Sequence, residues 1–355
     1  MNRSLIRCSL VLSAAALGCV GTVDRRPSAA PTAPNGCRVT RTSGDVAVLR
    51  RSSDELVIAA GGVELLRSSD VGRSWRREDL PVRCRWPDVA EVGGRLLVSC
   101  AEPDPPGRLL VVSEGVGGGW NEPVTVAATP GIFIDTDLAS MIDGSVLLVA
   151  TEVDRPDDME DAVYRVGVRR STDGGTTWSA PTTAATEPRG VRLEDSRTVA
   201  LDDGTVLLAV EREKVEGGRS TIVQLRSLDG GRTWSDGTVL WRGGDVEPGG
   251  YVRFEDGELW FIASSDERAG GGSYDRAEIL ARRSYDGGRS WAEPETLIDR
   301  EDQLSFGGVA LPDGDVLLPS VRHYSGPRRL LALYVVGRRP GTGARCAVAA
   351  VPSGR

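Results

Sequence analysis

Ser171-Thr172-Asp173-Gly174-Gly175-Thr176-Thr177-Trp178 is the stretch around which the chain is organised. It recurs as Ser227 to Trp234 (SLDGGRTW), as Ser284 to Trp291 (SYDGGRSW) and more loosely as Ser68 to Trp75 (SSDVGRSW), on the pattern Ser-x-Asp-x-Gly-x-Thr/Ser-Trp. A weaker echo, Ser113 to Trp120 (SEGVGGGW), keeps the Gly and the Trp but has no Asp. Successive tryptophans lie 45, 58, 56 and 57 residues apart, so the repeating unit is far longer than the phrase and has room for four strands. That is the mark of a propeller blade.

Each residue of the phrase has a local task. The Asp carboxylate and Ser hydroxyl accept hydrogen bonds from nearby backbone N–H groups, the Gly supplies the positive φ of a tight turn, and the Trp folds back as an apolar plug. The phrase resembles the Asp-box of bacterial neuraminidases, and through it the chain resembles the sialidase superfamily. The resemblance implies an all-β fold, a six-bladed β-propeller of four-stranded antiparallel blades. Asp70, Trp75, Asp173, Trp178, Asp229, Trp234, Asp286 and Trp291 are read as structural, because an Asp whose lone pairs hold a turn is not free to act on a substrate.

Three segments follow from the composition along the chain. Residues 1–19 carry Arg3 and Arg7, then an apolar stretch too short to span a bilayer, and read as a secretory signal. The segment ends in Leu17-Gly18-Cys19, which resembles a bacterial lipobox with Ala16 where Leu is usual, so Cys19 is the expected lipidation site. An ordinary cleaved signal, giving a secreted or periplasmic soluble protein, is the alternative. Residues 20–36, rich in Pro, Ala, Thr and Ser without apolar period, read as a flexible tether. Residues 37–355 form the propeller, whose blades each bury a small core against a neighbour.

A net charge of −8 without basic clusters argues against nucleic acid, and a membrane is expected only through the lipid anchor. His323 is the only histidine, which excludes a His-rich metal site. With Cys8 and Cys19 set aside, Cys37, Cys84, Cys100 and Cys346 remain, an even number in an exported chain. Cys84 and Cys100 flank a predicted hairpin and should bond. Cys37 and Cys346 lie at the two ends of the domain, where a disulfide would close the ring.

Every box is preceded by an A strand, a tight A–B turn, a B strand, a loop and a C strand. The A–B turns fall at Gly93-Gly94, Asp143-Gly144, Asp203-Gly204, Asp256-Gly257 and Asp313-Gly314. If the boxes are C–D turns, they share one side of the ring with these pairs. The A-strand starts and the long B–C loops then face the other side, where a propeller funnel receives ligand.

Candidate residues gather on that second face. Sialidases hold the substrate carboxylate with an arginine triad whose first member sits in an Arg-Ile-Pro motif, and they use a Tyr/Glu nucleophile and an Asp acid/base. No Arg-Ile-Pro occurs here, and at the expected offset the chain has Arg85 in blade two but Asp135 and Asp195 in blades three and four. Ser305 and Phe306 stand where the Tyr is expected. Carboxylates there would repel an anionic sugar, so orthodox sialidase activity is not expected. Arg85, Arg197, Arg212, Arg253 and Arg322 could form a different substrate-binding set, with Tyr324 beside Arg322 as the only Tyr placed to stand in for the nucleophile. Asp135, Asp137, Glu194, Asp195 and Glu211 could include the one protonated and one ionised carboxyl that a glycosidase needs, or bind Ca²⁺, or end loops in water. Glu211, beside Arg212 at the end of an apolar strand, is the strongest single candidate, and Asp135, Asp195 and Glu211 make up the catalytic set. No cofactor is expected apart from a Ca²⁺ option at the acidic loop 152–161. Two functions remain open: a propeller that binds or hydrolyses glycans, and a non-catalytic cell-surface scaffold for interaction. None of these features encodes an oligomeric state.

Overall fold

Alternating apolar residues and glycine turns build six antiparallel sheets. The computed structural model describes residues 38–346 other than 43–44, 62–63, 103, 155–156, 158–160, 215–219, 244–245, 266–277, 300–302, 306, 324–328, 340–341 and 343. The signal, Cys19 and the tether lie outside the described residues, as does Cys37.

After β1 (Arg38–Thr42), blade one holds β2 (Val46–Arg50), β3 (Leu56–Ala60), β4 (Glu64–Ser68) and β5 (Arg76–Asp79). Blade two holds β6 (Arg85–Val92), β7 (Arg95–Ala101), β8 (Gly107–Ser113) and β9 (Val124–Thr129). Blade three holds β10 (Ile132–Ser140), β11 (Val146–Val153), β12 (Tyr164–Ser171) and β13 (Thr182–Thr186). Blade four holds β14 (Val191–Ala200), β15 (Val206–Lys214), β16 (Thr221–Ser227) and β17 (Thr238–Arg242). Blade five holds β18 (Val246–Arg253), β19 (Leu259–Ser265), β20 (Glu278–Ser284) and β21 (Glu295–Ile298). Blade six has β22 (Gln303–Ser305) and β23 (Val309–Ala310) on its inner edge, followed by β24 (Val316–His323) and β25 (Arg329–Val336). Its outer edge is shared by β1 and β26 (Arg345–Cys346).

That last pairing closes the ring. Arg38 pairs with Ala332 and Thr42 with Arg329, while Cys346 pairs with Tyr334 two residues further along β25. Of the expected disulfides, Cys84–Cys100 forms, with Cα atoms 5.7 Å apart where Arg85 pairs with Ala101. The Cys37–Cys346 pairing falls outside the described residues.

The core is divided among the six gaps between blades, each gap holding one cluster of buried side chains. Strand β11 shows why: Val146, Leu148 and Ala150 face blade two while Leu147 and Val149 face blade four, the period-two alternation of a sheet buried on both faces. The boxes lie between C and D strands and the Asp-Gly pairs between A and B strands, so both occupy one side of the ring.

In blade three the Ser171 hydroxyl donates to Asp173 Oδ1 (2.8 Å) and accepts the N–H of Gly175 (2.9 Å). Asp173 Oδ1 also accepts the N–H groups of Thr176 and Thr177, and Oδ2 accepts the Thr177 hydroxyl (2.6 Å). These donors hold Asp173, Asp70 and Asp286 down to about 2. The box also locks neighbouring blades: a Cβ at Gly175 would sit 2.5 Å from Leu97 of blade two, and one at Gly288 2.5 Å from Leu207 of blade four. In the Asp-less echo, Trp120 instead donates to Glu78 of blade one (2.8 Å), beside an ionic network of Arg67 with Glu55, Glu78 and Glu114.

Candidate functional site

The inner A strands of blades two, three and four carry the same interruption. Register slips between Arg85 and Asp88, between Ile134 and Asp137, and between Glu194 and Arg197. Within each bulge one residue is left-handed: Trp86 (φ 50°), Asp135 (φ 54°) and Asp195 (φ 51°). Bulges of this kind re-aim side chains, and left-handed non-glycine residues concentrate at functional sites.

The bulges correct the alignment expected from sequence. The residue of blade two equivalent to Asp135 and Asp195 is Trp86, and Arg85 stands one place earlier with an exposed side chain. The cause is turn length. Val92 pairs with Arg95 across a two-residue loop in blade two, whereas Ser140 pairs with Val146 across five residues in blade three. Counting back from the turn therefore lands one residue off.

Two places beyond each left-handed residue stand Asp88, Asp137 and Arg197, and each reaches to the next blade. Asp88 Oδ2 accepts the Leu138 N–H (2.5 Å), Asp137 Oδ2 accepts the Thr198 N–H (2.8 Å), and Arg197 Nε donates to the Gly249 carbonyl (3.2 Å). Asp135 makes a further tie, accepting the Asp195 N–H at 2.8 Å. Asp88, Asp135 and Asp137 thus satisfy edge amides that the funnel would otherwise leave open.

Glu194, Asp195 and Glu211 are left for chemistry. Glu194 and Glu211 are directly opposite in the β14–β15 ladder, so their side chains leave one face of the sheet with Cβ atoms about 5 Å apart. Glu211, 8% exposed, lies beside Asp195 and Ser220. Asp195 also forms an ion pair with Arg197 at 3.5 Å.

The electrostatics separate these groups. Burial lifts Glu211 to about 10, with the neighbouring Asp195 charge adding to the rise, so at neutral pH it keeps its proton. Burial raises Asp195 as well, but Arg197 opposes the rise. Glu194 is pushed up to about 7 by burial and by Asp195. Burial raises Asp135 and Asp137 well above the carboxylate range, with the charges of Asp195 and Asp88 respectively contributing. Burial works against the charge of Arg197, yet Asp195, Asp137, Asp135 and Asp45 together hold it above its ordinary value.

The other candidates disperse. Arg212, next to Glu211 and so on the opposite sheet face, forms an ion pair with Glu187 at 2.8 Å. Arg253 ends β18 at the A–B turn and binds Asp202 (2.8 Å) and the Ala200 carbonyl (3.0 Å), which puts it on the box side and not on the expected ligand face. Arg322 lies in β24 opposite Gln303 and Leu330, with its side chain outside the described residues. Tyr324 and half of the acidic loop proposed for Ca²⁺ (155–156 and 158–160) also lie outside them. Of that loop, Asp154 accepts the Val163 N–H and Asp161 pairs with Arg189. Among the described residues no group of three or more His, Cys, Asp or Glu is placed to hold a metal ion.

A cavity of about 620 Å³ lies on the axis between the bulges and the A–B turns, lined by Trp86, Asp88, Asp135, Asp137, Arg197 and Tyr251 among others, while Glu194, Asp195 and Glu211 stand outside its lining. Asp88, Trp86 and Asp45 were not singled out from sequence. Asp88 sits in an ordinary strand pattern, and only the recurrence of the bulge marks it.

The model of the BNR repeat-like domain matches residues 109–342. The chain belongs to the BNR repeat-like family. Among solved structures this BNR propeller is similar to an α-L-arabinanase of Penicillium chrysogenum complexed with arabinobiose, at 14% identity over 83% of this chain and 97% of that one, TM-score 0.60. It is similar to an α-L-arabinofuranosidase of Fusarium graminearum solved with an iminosugar inhibitor, at 13% identity over 85% and 98%, TM-score 0.61. It also resembles a Trypanosoma rangeli sialidase in complex with sialic acid, at 13% identity and TM-score 0.54, covering 83% of this chain but 54% of that one. No curated protein matches the chain.

Proposed function

We propose that this BNR propeller binds and hydrolyses glycosides of uncharged sugars at the bulged end of its funnel. Glu211 is the proton donor and Glu194 the second carboxyl group, with Asp195 and Arg197 as positioning residues. The observation that carries the reading is the cross-strand placement of Glu194 and Glu211 with their pKa values driven apart. A glycosidase needs one carboxyl protonated and one ionised, and with Glu194 at about 7 and Glu211 at about 10 it is Glu194 that gives up its proton first. The Asp195 charge beside Glu211 helps to keep that carboxyl protonated, while Arg197 favours the ionised form of Asp195.

The same charges disfavour a sialoside. A substrate carboxylate within about 4 Å of Asp195 would meet repulsion of about 1 to 4 kcal/mol between solvent-like and partly screened limits. The arabinose-acting neighbours of higher TM-score are consistent with an uncharged sugar.

The test is a panel of aryl α-L-arabinofuranosides, β-xylosides and sialosides. Turnover is expected with an uncharged member and not with the sialoside, and Glu211→Gln and Glu194→Gln should each lower kcat by about a hundredfold or more with the fold retained. Loss of neither activity on substitution removes the residue assignment. Saturable binding on a glycan array without turnover indicates a lectin. Absence of both favours the scaffold, a reading supported by the use of Asp88, Asp135 and Asp137 as ties between blades.

A further inference from the structure

The side of the ring that carries the boxes shows a pattern the funnel does not explain. Six large apolar side chains are exposed among the described residues, and five of them stand at turn tips on this one side: Val71, Val116, Ile142, Leu228 and Tyr285. They belong to blades one to five in succession. Val116 is 96% exposed, Leu228 76% and Tyr285 72%, so these are protruding tips and not the margins of a core. Isolated exposed apolar residues are ordinary, but their confinement to one rim of a ring is not.

Arginines accompany them. Arg73, Arg232 and Arg289 follow Val71, Leu228 and Tyr285 within the same boxes and are exposed. The box carboxylates beside them, Asp70, Asp229 and Asp286, accept hydrogen bonds from their own turns and stay ionised at the surface. Most A–B turn carboxylates are matched too, with Asp143 on Arg170, Asp202 on Arg253, Asp256 on Arg338 and Asp315 on Arg345. The tips therefore present apolar groups within a rim where arginines and carboxylates offset one another, so the apolar side chains supply the affinity for the boundary between headgroups and acyl chains.

The first described residue, Arg38, lies half-way along the outer edge of blade six. Strand β1 runs from Arg38, opposite Ala332, to Thr42, opposite Arg329, so it climbs away from the boxes. The box half of that outer edge is continued by β26, at Tyr334 and Val335. Eighteen residues, 20–37, separate Arg38 from Cys19 in the lipobox. A flexible chain of that length has a root-mean-square reach of roughly 25 Å. An acyl group on Cys19 would thus hold the boxed side near a bilayer at high effective concentration.

We propose that the boxed side of the propeller rests on a lipid bilayer, with Val71, Val116, Ile142, Leu228 and Tyr285 entering the interface and Cys19 acylated, so that the bulged mouth of the funnel points away from the membrane. The contact supplies the second attachment that one lipid anchor needs for a fixed orientation.

The test uses the full acylated chain reconstituted in vesicles of phosphatidylcholine and phosphatidylglycerol. Nitroxides are introduced through a keto amino acid at Leu228, at Tyr285 and, on the opposite side, at Lys214 at the end of β15. Oxygen should relax the first two more than an aqueous nickel complex does, and the reverse should hold at Lys214. A triple Val116→Ser/Leu228→Ser/Tyr285→Ser variant carrying Cys19→Ser should bind the same vesicles at least tenfold more weakly than Cys19→Ser alone. Its unchanged thermal unfolding would show that the loss is not a folding defect. Aqueous exposure at all three positions, burial of Lys214 instead, equal vesicle binding by the two unacylated chains, or recovery of Cys19 without an acyl group would each overturn the proposal. Shielding of Leu228 in native envelopes but not in protein-free vesicles would overturn it in favour of a protein partner.

Discussion

Replacing Arg197 by Met removes a cation whose field reaches Asp88, Asp135, Asp137 and Asp195 together. It also deletes the hydrogen bonds to the carbonyls of Gly249 (3.2 Å) and Ser196 (2.9 Å), while keeping most of the side-chain volume. Breaking a buried ion pair from one side costs about 3–5 kcal/mol, because the other charge stays behind. Here the size of the loss should depend on pH. Groups whose folded pKa is raised contribute stability that is complete below the unfolded pKa and is lost as pH rises through the folded value. Glu194 alone, lifted from 4.5 to about 7, makes the native protein weaken by about 3 kcal/mol as pH rises across that interval. Without Arg197, Asp135, Asp137 and Asp195 lose the influence that lowers them, so their folded values climb further and the decline steepens. Urea unfolding of both proteins at about pH 5 and about pH 8 gives the readout. The full penalty is expected at the higher pH and at most half of it at the lower, with Arg197→Met/Asp195→Asn recovering part of the loss at pH 8. An equal penalty at both pH values, or no recovery in the double variant, would refute the account of Arg197 as counter-ion to this cluster.

Two further outcomes follow from the ring itself. Gly144→Ala and Gly175→Ala share a left-handed backbone (φ 80° and 88°), but a Cβ at Gly144 meets nothing within 4 Å whereas at Gly175 it meets Leu97 at 2.5 Å. Gly144→Ala should cost about 1 kcal/mol by urea unfolding and Gly175→Ala at least about 1 kcal/mol more, and equal costs would deny the box its part in holding blades together. Cys84 and Cys100, 16 residues apart, should contribute about 3 kcal/mol. The Cys84→Ala/Cys100→Ala variant should therefore melt several degrees lower without change in the funnel, and an unchanged Tm would mean that the β6–β7 hairpin needs no clamp.

What could be read from the sequence depended on how far each feature reaches along the chain. The boxes were legible because their hydrogen bonds close within about eight residues: Ser171, Asp173, Gly175 and Thr177 satisfy one another whatever lies elsewhere. Their spacing then carried the blade count. Strand β1 was not legible as the outer strand of blade six, because Arg-Val-Thr-Arg-Thr has little apolar alternation and its partner lies almost the whole domain away. The seam was inferred from cysteine positions instead. Arg253 belongs to the boxed side, a placement that the Asp256-Gly257 turn three residues on already marks and that the register with Leu259 fixes.

The acidic residues show a subtler limit. Asp135 and Asp195 were visible as carboxylates at equivalent places, yet nothing local separates a carboxylate that holds an amide from one that is left to titrate against a neighbour. The division is made across blades: Asp135 meets the Asp195 N–H, 60 residues away, and Asp195 meets Glu211 and Arg197. One bulge, repeated three times, therefore yields a Trp, an amide tie and an ion-paired carboxylate at its left-handed position, because the next blade offers a different partner each time. A propeller can keep its backbone constant around the ring and still place several chemistries at one mouth, since each A strand is finished by its neighbour. The same logic explains why the resemblance to sialidases holds for the boxes and fails for the arginines: a box is completed within its own turn, whereas the funnel is completed only by the ring.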